Sequence, residues 1–557
     1  MALLLLPFGA TAAAPESLAA QARRNGEQAR KALVDSNRIM HAWLRHRDPD
    51  TGLLPRNVQD TPPLFKHAVN LTWTVKDSAA DLYPFMVLAA RFTEPTLYGG
   101  AMLDLLRQEV LLSTRIGRLA DDVQPGRGGF VRTKPDMGAI IFGSSEYMKD
   151  GLLPLTEMLG DTPWYHRMEG IAADVIRHAP FKTSHGALPA QSCEVNGNML
   201  QVLSRLYWKT GDENYLNTVI AIADFYLLDM LPKTQFVPVD RWDFAGQKPV
   251  ALRFRLSDHG NEIVGGLSEA FVLASHQRPD KAAQYRPAFV SMMDQLLKLG
   301  RNADGVWHDE IDIGTGASLT KRHAHCWGYM FNGVYTAYMA TGETRFRAAV
   351  EHAIQSVAER PRYLFDESPP IASWKANAYS DSIESALVLL NRIPHAGLAR
   401  EIDPAVEKMR AIIRPSGIVE GWYGDGNTIR TLLMYALWKS QGTQLEPWSR
   451  TVALGAVREG DEVTLSVSAP EGWSGMLRFD YPRHRVHWHL PVNYPRLNEW
   501  PEWFAVEDDR RYWVQIGNGV REPRIGAELR RGLAVNVARG ETLLIKITEG
   551  GAPPYGR

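Results

Sequence analysis

The densest group of chemically versatile side chains lies in residues 321–332, which read Lys-Arg-His-Ala-His-Cys-Trp-Gly-Tyr-Met-Phe-Asn. A guanidinium such as that of Arg322 neutralises a carboxylate through two hydrogen bonds, and a phenol such as that of Tyr329 can transfer a proton. Because groups of this kind cluster at functional sites, we predict that Arg322 and Tyr329 are catalytic. Three neighbours are predicted to contact the substrate, namely His323, His325 and Trp327.

Two further polar segments supply other groups that a proton-transfer reaction needs. Residues 257–262 contain His259 beside carboxylates, and residues 191–198 contain Glu194. An elimination needs a neutraliser for the substrate carboxylate, a base for the neighbouring proton and an acid for the leaving oxygen. We predict that His259 assists as acid, base or neutraliser and that Glu194 orients its neighbours. The predicted substrate contacts from these segments are Glu262, Asn196 and Asn198.

A hydrolase would instead use two facing carboxyl groups, one protonated and one ionised. Many carboxylates stand near expected helix starts, namely Asp77, Glu146, Glu194, Glu262, Asp381 and Asp425. This surplus singles out no pair, so hydrolysis stays open as the alternative to elimination. The remaining predicted substrate contacts are spread along the chain: Trp73, Lys76, Asp77, Tyr83, Tyr379 and Trp422.

The histidines and cysteines do not predict a metal site. His323 and His325 stand two residues apart and would point in different directions on a helix, and only Cys193 and Cys326 are cysteines. We therefore predict no metal and no cofactor. Two cysteines also argue against a disulfide scaffold.

Repeated turn signals indicate the elements that position these groups. Residues 159–162, 210–213 and 341–344 each place a glycine after an apolar stretch and a capping residue behind it. A polar cluster precedes each turn by roughly the length of one helix. We predict a mainly α-helical fold, an (α/α) toroid of six or seven hairpins over residues 15–445, with its inner helices starting at one rim. An open α-solenoid shares the periodicity but would not concentrate polar residues at one end of every repeat.

The pattern changes near Trp448. Val463, Leu465 and Val467 recur at every second position, which is the period of a β-strand, and the same alternation returns around Val535. We predict a β-sandwich over residues 446–557. At the other end, residues 1–14 have the apolar run and small-residue stretch of a signal-peptide remnant, which predicts a secreted or periplasmic protein.

Charge and hydropathy narrow the range of partners. The chain has 557 residues, with 62 Lys and Arg against 63 Asp and Glu, so no global field attracts nucleic acid or an acidic membrane. No segment after the N-terminus approaches the roughly 20 apolar residues of a membrane span. The expected partner is a polysaccharide or oligosaccharide substrate, and the sequence does not predict an oligomeric state.

The order of the predicted residues carries a resemblance. Glu194, then His259, then Arg322 ahead of Tyr329 in an inner helix resembles the (α/α)-toroid polysaccharide lyases that act on uronate polymers of the alginate and glucuronan type. In that family a tyrosine serves as base and often acid, beside a histidine and an arginine. The resemblance implies β-elimination, with the C5 carboxylate neutralised by Arg322 and the C5 proton removed by Tyr329.

A weaker resemblance points to toroid glycosidases. Residues 192–196 and the turn at 210–212 resemble the β-L-arabinofuranosidase group, whose cysteine nucleophile acts with a zinc ion bound by several cysteines. Two cysteines do not supply that set. The sequence thus predicts a polysaccharide lyase cleaving a uronic-acid-containing polysaccharide, with a toroid glycoside hydrolase as the alternative. A non-catalytic glycan-binding protein would not need so many titratable groups around Tyr329.

Overall fold

The structure is a computed structural model and describes residues 16–58, 71–126, 128–365, 375–421 and 424–550. The described chain forms two compact units. The helical unit comprises Ala32–Trp438 and Asp480–Ala505, and the sheet unit comprises the other described residues. The predicted combination of a mainly helical chain with a sheet-containing C-terminal region is confirmed.

Helices of the helical unit alternate along the chain between two kinds that differ in burial. Inner helices are buried on nearly all sides, as in Cys193–Thr210, which is buried throughout its first fifteen residues. The inner helices are Val75–Leu82 continuing as Tyr83–Thr93; Met137–Glu146 continuing as Tyr147–Leu152 and Leu153–Leu159; Cys193–Thr210; Asn261–Gln277; Trp327–Thr341; Lys375–Arg392; and Gly426–Lys439.

Outer helices are buried along one face. In Thr344–Glu359 the buried residues Phe346, Val350, Ile354 and Val357 follow the helical period, as expected for a helix with one solvent-exposed side. The outer helices are Leu18–Leu44, which enters this unit at Ala32; Pro95–Leu97 continuing as Tyr98–Met102 and Leu103–Ser113; Pro163–Arg177; Glu213–Asp224 continuing as Phe225–Met230; Pro279–Lys298; Thr344–Glu359; and Ala396–Ala411. Short 3-10 turns occupy Leu231–Lys233 and Pro361–Tyr363.

The turns between inner and outer helices follow the predicted chemistry. Gly211 and Gly342 end their inner helices in the left-handed conformation, with φ of 72° and 75°. The side chain of Asp212 then accepts a hydrogen bond from the backbone N–H of Asn214 and caps the next outer helix. The connection between these two helices is therefore only two residues long.

Neighbouring inner helices pack against one another, and the last also meets the first. Asn261–Gln277 packs between Cys193–Thr210 and Trp327–Thr341. At the start of the last inner helix, a Cβ on Gly426 would lie 1.9 Å from the carbonyl oxygen of Asp81 in the first, so glycine alone permits this approach. The Arg430 guanidinium also lies over the Phe85 ring, 5.5 Å from its centroid.

Short antiparallel strand pairs lie in the connections that precede inner helices. They pair Thr114–Ile116 with Leu119–Ala120, Phe181–Thr183 with Gly186–Leu188, Trp242–Asp243 with Lys248–Pro249, and Arg253–Arg255 with Glu310–Asp312. The last pair joins two successive inter-helix connections, which brings side chains from both to one place. Within the described ranges no helix has the length and apolarity needed to cross a membrane.

The sheet unit contains two antiparallel sheets. The five-stranded sheet has the order Ala453–Glu459, Glu462–Ala469, Glu541–Glu549, Arg511–Ile516, Glu522–Ile525, and the three-stranded sheet has the order Leu533–Val537, Trp473–Arg478, Gln444–Glu446. Leu533, Val535 and Val537 are buried while the residues between them are exposed, as the strand period predicts. A short helix, Gly526–Arg531, precedes this strand.

Residues Asp480–Ala505, here called the strap, belong to the helical unit although they fall inside the predicted 446–557 domain. The strap carries a short helix, Arg483–Trp488. Arg496 is fully buried and pairs with Glu157 of an inner helix at 2.6 Å, and the Tyr494 hydroxyl donates to Glu269 at 3.1 Å. These charges need buried partners, so the strap stays with the helices and the boundary differs from the prediction.

Candidate active site

A cavity of about 520 Å³ opens among the inner helices, mainly their N-terminal halves, and the connections before them. Among the described residues, eight carboxylate side chains line it: Asp77, Asp81, Glu146, Asp150, Asp258, Asp309, Glu310 and Asp381. Six Lys or Arg side chains also line it: Arg56, Lys76, Lys149, Arg255, Arg322 and Arg430. Polar groups of both signs thus converge where a substrate has access.

Six of the predicted site residues lie on the cavity wall, namely Lys76, Asp77, His259, Arg322, His325 and Tyr329. Lys76 is exposed, and its ammonium lies 6.0 Å from the centroid of the Phe142 ring. Asp77 is buried and pairs with Arg56 at 2.7 Å while it accepts from the Thr74 hydroxyl.

His259 and Glu194 form a tight pair. His259 Nδ1 lies 2.5 Å from Glu194 Oε1, and its Nε2 lies 3.7 Å from Asp258 Oδ2. Burial alone would lower the pKa of His259, but the charge of Asp258 and the contact with Glu194 raise it to about 10. His259 also has φ of 78°, which a non-glycine residue keeps only where surrounding contacts hold it. At neutral pH this ring is a fixed cation and acts as a donor, not as a base.

Arg322 lies in the connection before the helix Trp327–Thr341 and has a largely exposed side chain that pairs with Asp309. His325 Nε2 lies 3.4 Å from Asp381 Oδ2. Burial lowers the pKa of His325, but the hydrogen bond and charge of Asp381 outweigh this and raise it above the ordinary value. His323 instead packs its ring edge-on against Tyr363, with the centroids 4.9 Å apart, and is not part of the wall.

Tyr329 stands at the centre of a buried network. Its hydroxyl donates to Glu384 Oε2 at 2.6 Å and lies 3.2 Å from Asp381 Oδ1, and Arg430 contacts both carboxylates at 2.5 and 2.7 Å. Burial, with the two carboxylates, raises the pKa of Tyr329 well above 10 even though Arg430 opposes the shift. A phenol held this way keeps its proton, so the network disfavours Tyr329 as a base.

The two carboxylates of this network differ in protonation. Burial raises the pKa of Glu384 to about 7, although Arg430 opposes the shift. Burial would also raise the pKa of Asp381, but His325 and Arg430 lower it below its ordinary value. Asp381 is therefore ionised over the physiological range, whereas Glu384 titrates near neutrality.

A second pair of carboxylates faces the cavity nearer the first two inner helices. Burial, followed by the charge of Asp150, raises the pKa of Asp81 well above its ordinary value. Asp150 itself receives two contacts on one oxygen, Oδ1: Lys149 Nζ lies at 2.8 Å and Asn498 Nδ2 of the strap at 2.7 Å. Its Oδ2 has no hydrogen bond from any described residue. The raised pKa favours the protonated form of Asp81, and its neighbour Asp150 is paired with Lys149 and keeps one oxygen free of hydrogen bonds from the described residues.

Asn498 lies at the inner end of the strap and is buried with φ of 57°. Its Nδ2 donates to Asp150, and its Oδ1 accepts from Arg430 Nη1 at 3.3 Å. One amide therefore connects the two carboxylate pairs, and it reaches them from a segment distant in sequence.

Other predicted residues are placed away from the cavity. Asn196 is buried and hydrogen-bonds to Ala190 and to the Tyr226 hydroxyl. Asn198 is buried behind the wall, where it donates to Glu146 at 2.5 Å. Glu262 is buried 3.4 Å from Lys149, and burial raises its pKa to about 7.

The predicted aromatic contacts are buried as well. Trp327 and Trp73 have at most 5% of their surface exposed, and the Tyr83 hydroxyl donates to the carbonyl of Met102. Tyr379 is buried and stacks on Phe365 with centroids 3.7 Å apart. Such rings are not accessible for stacking against a sugar. Trp422 lies outside the described residues.

Several residues of the site were not predicted from the sequence as site residues, namely Asp81, Lys149, Asp150, Asp258, Asp309, Glu384, Arg430 and Asn498. Asp381 and Glu384 stand three residues apart, which places both on one face of a helix, and this spacing in the sequence indicates a carboxylate pair. Lys149 and Asp150 lie deep within an inner helix rather than at its start, where the prediction looked for polar clusters. Among the described residues no group of three His, Cys, Asp or Glu is placed to hold a metal ion.

Neither a protein-family model nor a curated protein sequence matches the chain. Solved structures with similar architecture include the GH76A α-1,6-mannanase from Salegentibacter sp. HEL1_6, with 13% identity and a TM-score of 0.39 over 60% of this chain and 97% of that one. The cellobiose 2-epimerase from Spirochaeta thermophila DSM 6192 has 14% identity and a TM-score of 0.44 over 69% and 98%. A glycoside hydrolase family 76 mannosidase from Bacteroides thetaiotaomicron VPI-5482 has 10% identity and a TM-score of 0.40 over 73% and 98%. Similarity at these identities and TM-scores concerns the fold of the chain alone and assigns no activity to it.

Proposed function

We propose that the protein is a glycoside hydrolase that cleaves an oligosaccharide or polysaccharide in the cavity of the helical unit. The observation that carries this proposal is the pairing of Asp81 with Asp150, two cavity-lining carboxyl groups in different environments. Burial and the charge of Asp150 raise the pKa of Asp81 well above its ordinary value, which favours the protonated acid, whereas Asp150 is paired with Lys149. Glycosidases need one carboxylic acid and one carboxylate beside the scissile bond, and environments that separate the two pKa values create them.

In this mechanism Asp81 donates its proton to the glycosidic oxygen as the bond to the anomeric carbon breaks. Asp150 stabilises the positive charge that develops on the sugar ring. Lys149 and Asn498 hold its Oδ1, so Oδ2 is the atom that accepts a proton from water or bonds to the anomeric carbon. The configuration of the first product separates these two possibilities.

The hydrolase accounts for the site better than the predicted lyase does. Elimination required Tyr329 as the base and Arg322 as the carboxylate neutraliser. Tyr329 instead donates to Glu384 with a raised pKa, and Arg322 is already paired with Asp309. The carboxyl pair was the feature required for hydrolysis, and it is present.

We further propose that the helical unit is a closed (α/α) ring of seven hairpins and that the C-terminal sheets form a sandwich. Seven inner helices follow one another within the described ranges, and the approach of Gly426 to Asp81 supports closure. A closed ring holds the first and last inner helices in register, which fixes Asp81 beside the Arg430 network. Export, predicted from residues 1–14, also remains a proposal.

The test is a comparison of Asp81→Asn and Asp150→Asn with the wild type on a panel of neutral and acidic oligosaccharides. New reducing ends and the ultraviolet absorbance of unsaturated uronates would be followed together. Each substitution keeps the side-chain shape and removes one proton-transfer group, so hydrolysis should fall about 10²- to 10⁴-fold. Asp104→Asn, on an exposed outer-helix carboxylate, is the matched control and should retain full activity.

Two results would overturn the proposal. Unsaturated products from the wild type would show elimination. Folded Asp81→Asn and Asp150→Asn proteins with unchanged hydrolysis would show that other groups carry the reaction.

A further inference from the structure

A second cavity, of about 330 Å³, adjoins the first and shares two wall residues with it, Arg255 and His259. Its other walls come from the start of the inner helix Cys193–Thr210 and from the connection that contains Arg241 and Arg253. Because the two cavities share wall residues, a ligand long enough to occupy both would contact Arg255 and His259.

The second cavity has a different charge from the first. Among the described residues its cationic side chains are Arg241, Arg253, Arg255 and His259, and its carboxylates are Glu194 and Asp240. In the first cavity, by contrast, eight carboxyl groups, among them Asp81 with its raised pKa, stand against six lysines and arginines and the same His259, so charges of the described residues nearly balance. An anionic group on a ligand is therefore attracted to the second cavity more than to the first.

Ion pairs with carboxylates of the chain neutralise only part of the positive charge of the second cavity. His259 is paired with Glu194 at 2.5 Å, and Arg253 contacts Asp240 at 3.4 Å and also Glu310. The Arg241 guanidinium donates to the neutral amide of Gln191 at 3.1 Å and forms no ion pair within the described part of the chain.

Arg255 lies at the boundary between the cavities and is only partly exposed. Its backbone N–H donates to Asp240 Oδ1 at 2.8 Å, which fixes the strand Arg253–Arg255, but its guanidinium has no ion-pair or hydrogen-bond partner among the described residues. The backbone of Arg255 is fixed and the N–H donors of its planar guanidinium are available, so this side chain can bind an oxyanion through two hydrogen bonds.

We propose that the second cavity is a subsite for an anionic sugar, one that carries a carboxylate or a sulfate ester, and that Arg255 and Arg241 bind the anion. This inference rests on the proposed saccharide substrate and names its class: a chain with an acidic residue next to the residue cleaved. Arg255 sets the boundary, so the acidic residue occupies the second cavity while the neighbouring bond lies at Asp81 and Asp150.

The experiment is equilibrium binding by calorimetry, so that it does not depend on turnover. Unsulfated oligouronates, sulfated oligosaccharides and neutral oligosaccharides of equal length would be titrated into the wild type, Arg255→Gln and Arg241→Gln. Arg345→Gln, on an exposed outer-helix arginine, is the control. The wild type should bind one acidic class more tightly than the neutral sugars, and the affinity should fall as salt rises.

Arg255→Gln should weaken binding of that acidic class about 10- to 100-fold and leave neutral sugars unchanged, since it removes only a charged hydrogen-bond donor pair. Arg241→Gln, on an exposed side chain that folding does not need, should act in the same direction. The preferred class, uronate or sulfate, identifies the anion.

Equal affinity of wild type and both variants for every acidic sugar would overturn the subsite, as would an equal loss for neutral sugars. Preferential binding of an acidic sugar without any cleavage would overturn the proposed hydrolysis and leave the anion subsite standing. If only neutral chains are cleaved and Arg255→Gln does not change the cleavage, the anion subsite is overturned and the proposed hydrolysis stands.

Discussion

Replacing Glu384 by Gln should remove a specific part of the pH dependence of stability. Glu384 is 1% exposed and contacts Tyr329 and Arg430, and burial raises its pKa from 4.5 to about 7. Unfolded glutamate loses its proton near pH 4.5, so between pH 4.5 and 7 the folded protein binds one more proton than the unfolded chain.

The sign follows from that extra proton. The stabilisation from protonated Glu384 is complete below pH 4.5 and is lost as the pH rises through 7. The separation of the two pKa values corresponds to about 3 kcal/mol of unfolding free energy. Glutamine keeps the size and the hydrogen-bonding ability of the protonated acid but does not titrate, so the Glu384→Gln protein should lack this loss.

Urea unfolding followed by circular dichroism at intervals from pH 5 to 8.5 provides the measurement. The difference in unfolding free energy between Glu384→Gln and the wild type should grow in favour of the variant as the pH rises, by about 2.5 kcal/mol over this range. Glu351→Gln, on an exposed outer-helix carboxylate, controls for the change of residue type. Parallel curves for wild type and Glu384→Gln across this range would refute the assignment of a raised pKa to Glu384.

Two further predictions concern other buried charges. Arg496→Met should lower the unfolding free energy by about 3–5 kcal/mol, because Glu157 would be left buried and unpaired. Urea unfolding at pH 7 measures this loss. A loss below about 1 kcal/mol would contradict the role of this pair. His259 should stay protonated up to about pH 10, and Glu194→Gln should lower the pKa of His259. NMR titration of the ring nitrogens would detect both. A His259 that titrates near 6.5 in the wild type would contradict the pairing with Glu194.

The turn chemistry made the helical architecture predictable, whereas the aromatic contacts were misjudged for a geometric reason. Gly211 and Gly342 end helices where the sequence placed them, and part of the predicted polar clusters, including Asp77, His259 and His325, lines one cavity. Residues two apart on a helix lie about 200° apart around its axis, so Trp327 and Tyr329 cannot both face the cavity. Tyr329 faces the cavity, and Trp327 is buried in the core.

The residues that define the proposed chemistry depended on long-range packing. Asp81 acquires its raised pKa from burial and then from the charge of Asp150 on another inner helix, and Asp150 is oriented by Asn498, 348 positions away in the chain. No local sequence pattern predicts such a contact, because the residues Asn-Glu-Trp at 498–500 match no motif or periodicity typical of a functional site. Nor does the sequence around residues 480–505 show that these residues leave the sheets and join the helices.

The strap also has a consequence for how the protein is made. Residues of the inner helices, among them Glu157 and Asp150, leave the ribosome long before the strap that pairs with them. Until residues 480–505 are synthesised, the nascent helices hold charged groups without their final partners. The helical unit therefore completes its folding only after most of the chain has been translated, and a gene fragment ending at residue 445 encodes a site whose Asp150 lacks its Asn498 contact. Any recombination that exchanges the C-terminal sheets must carry the strap with the helices it serves.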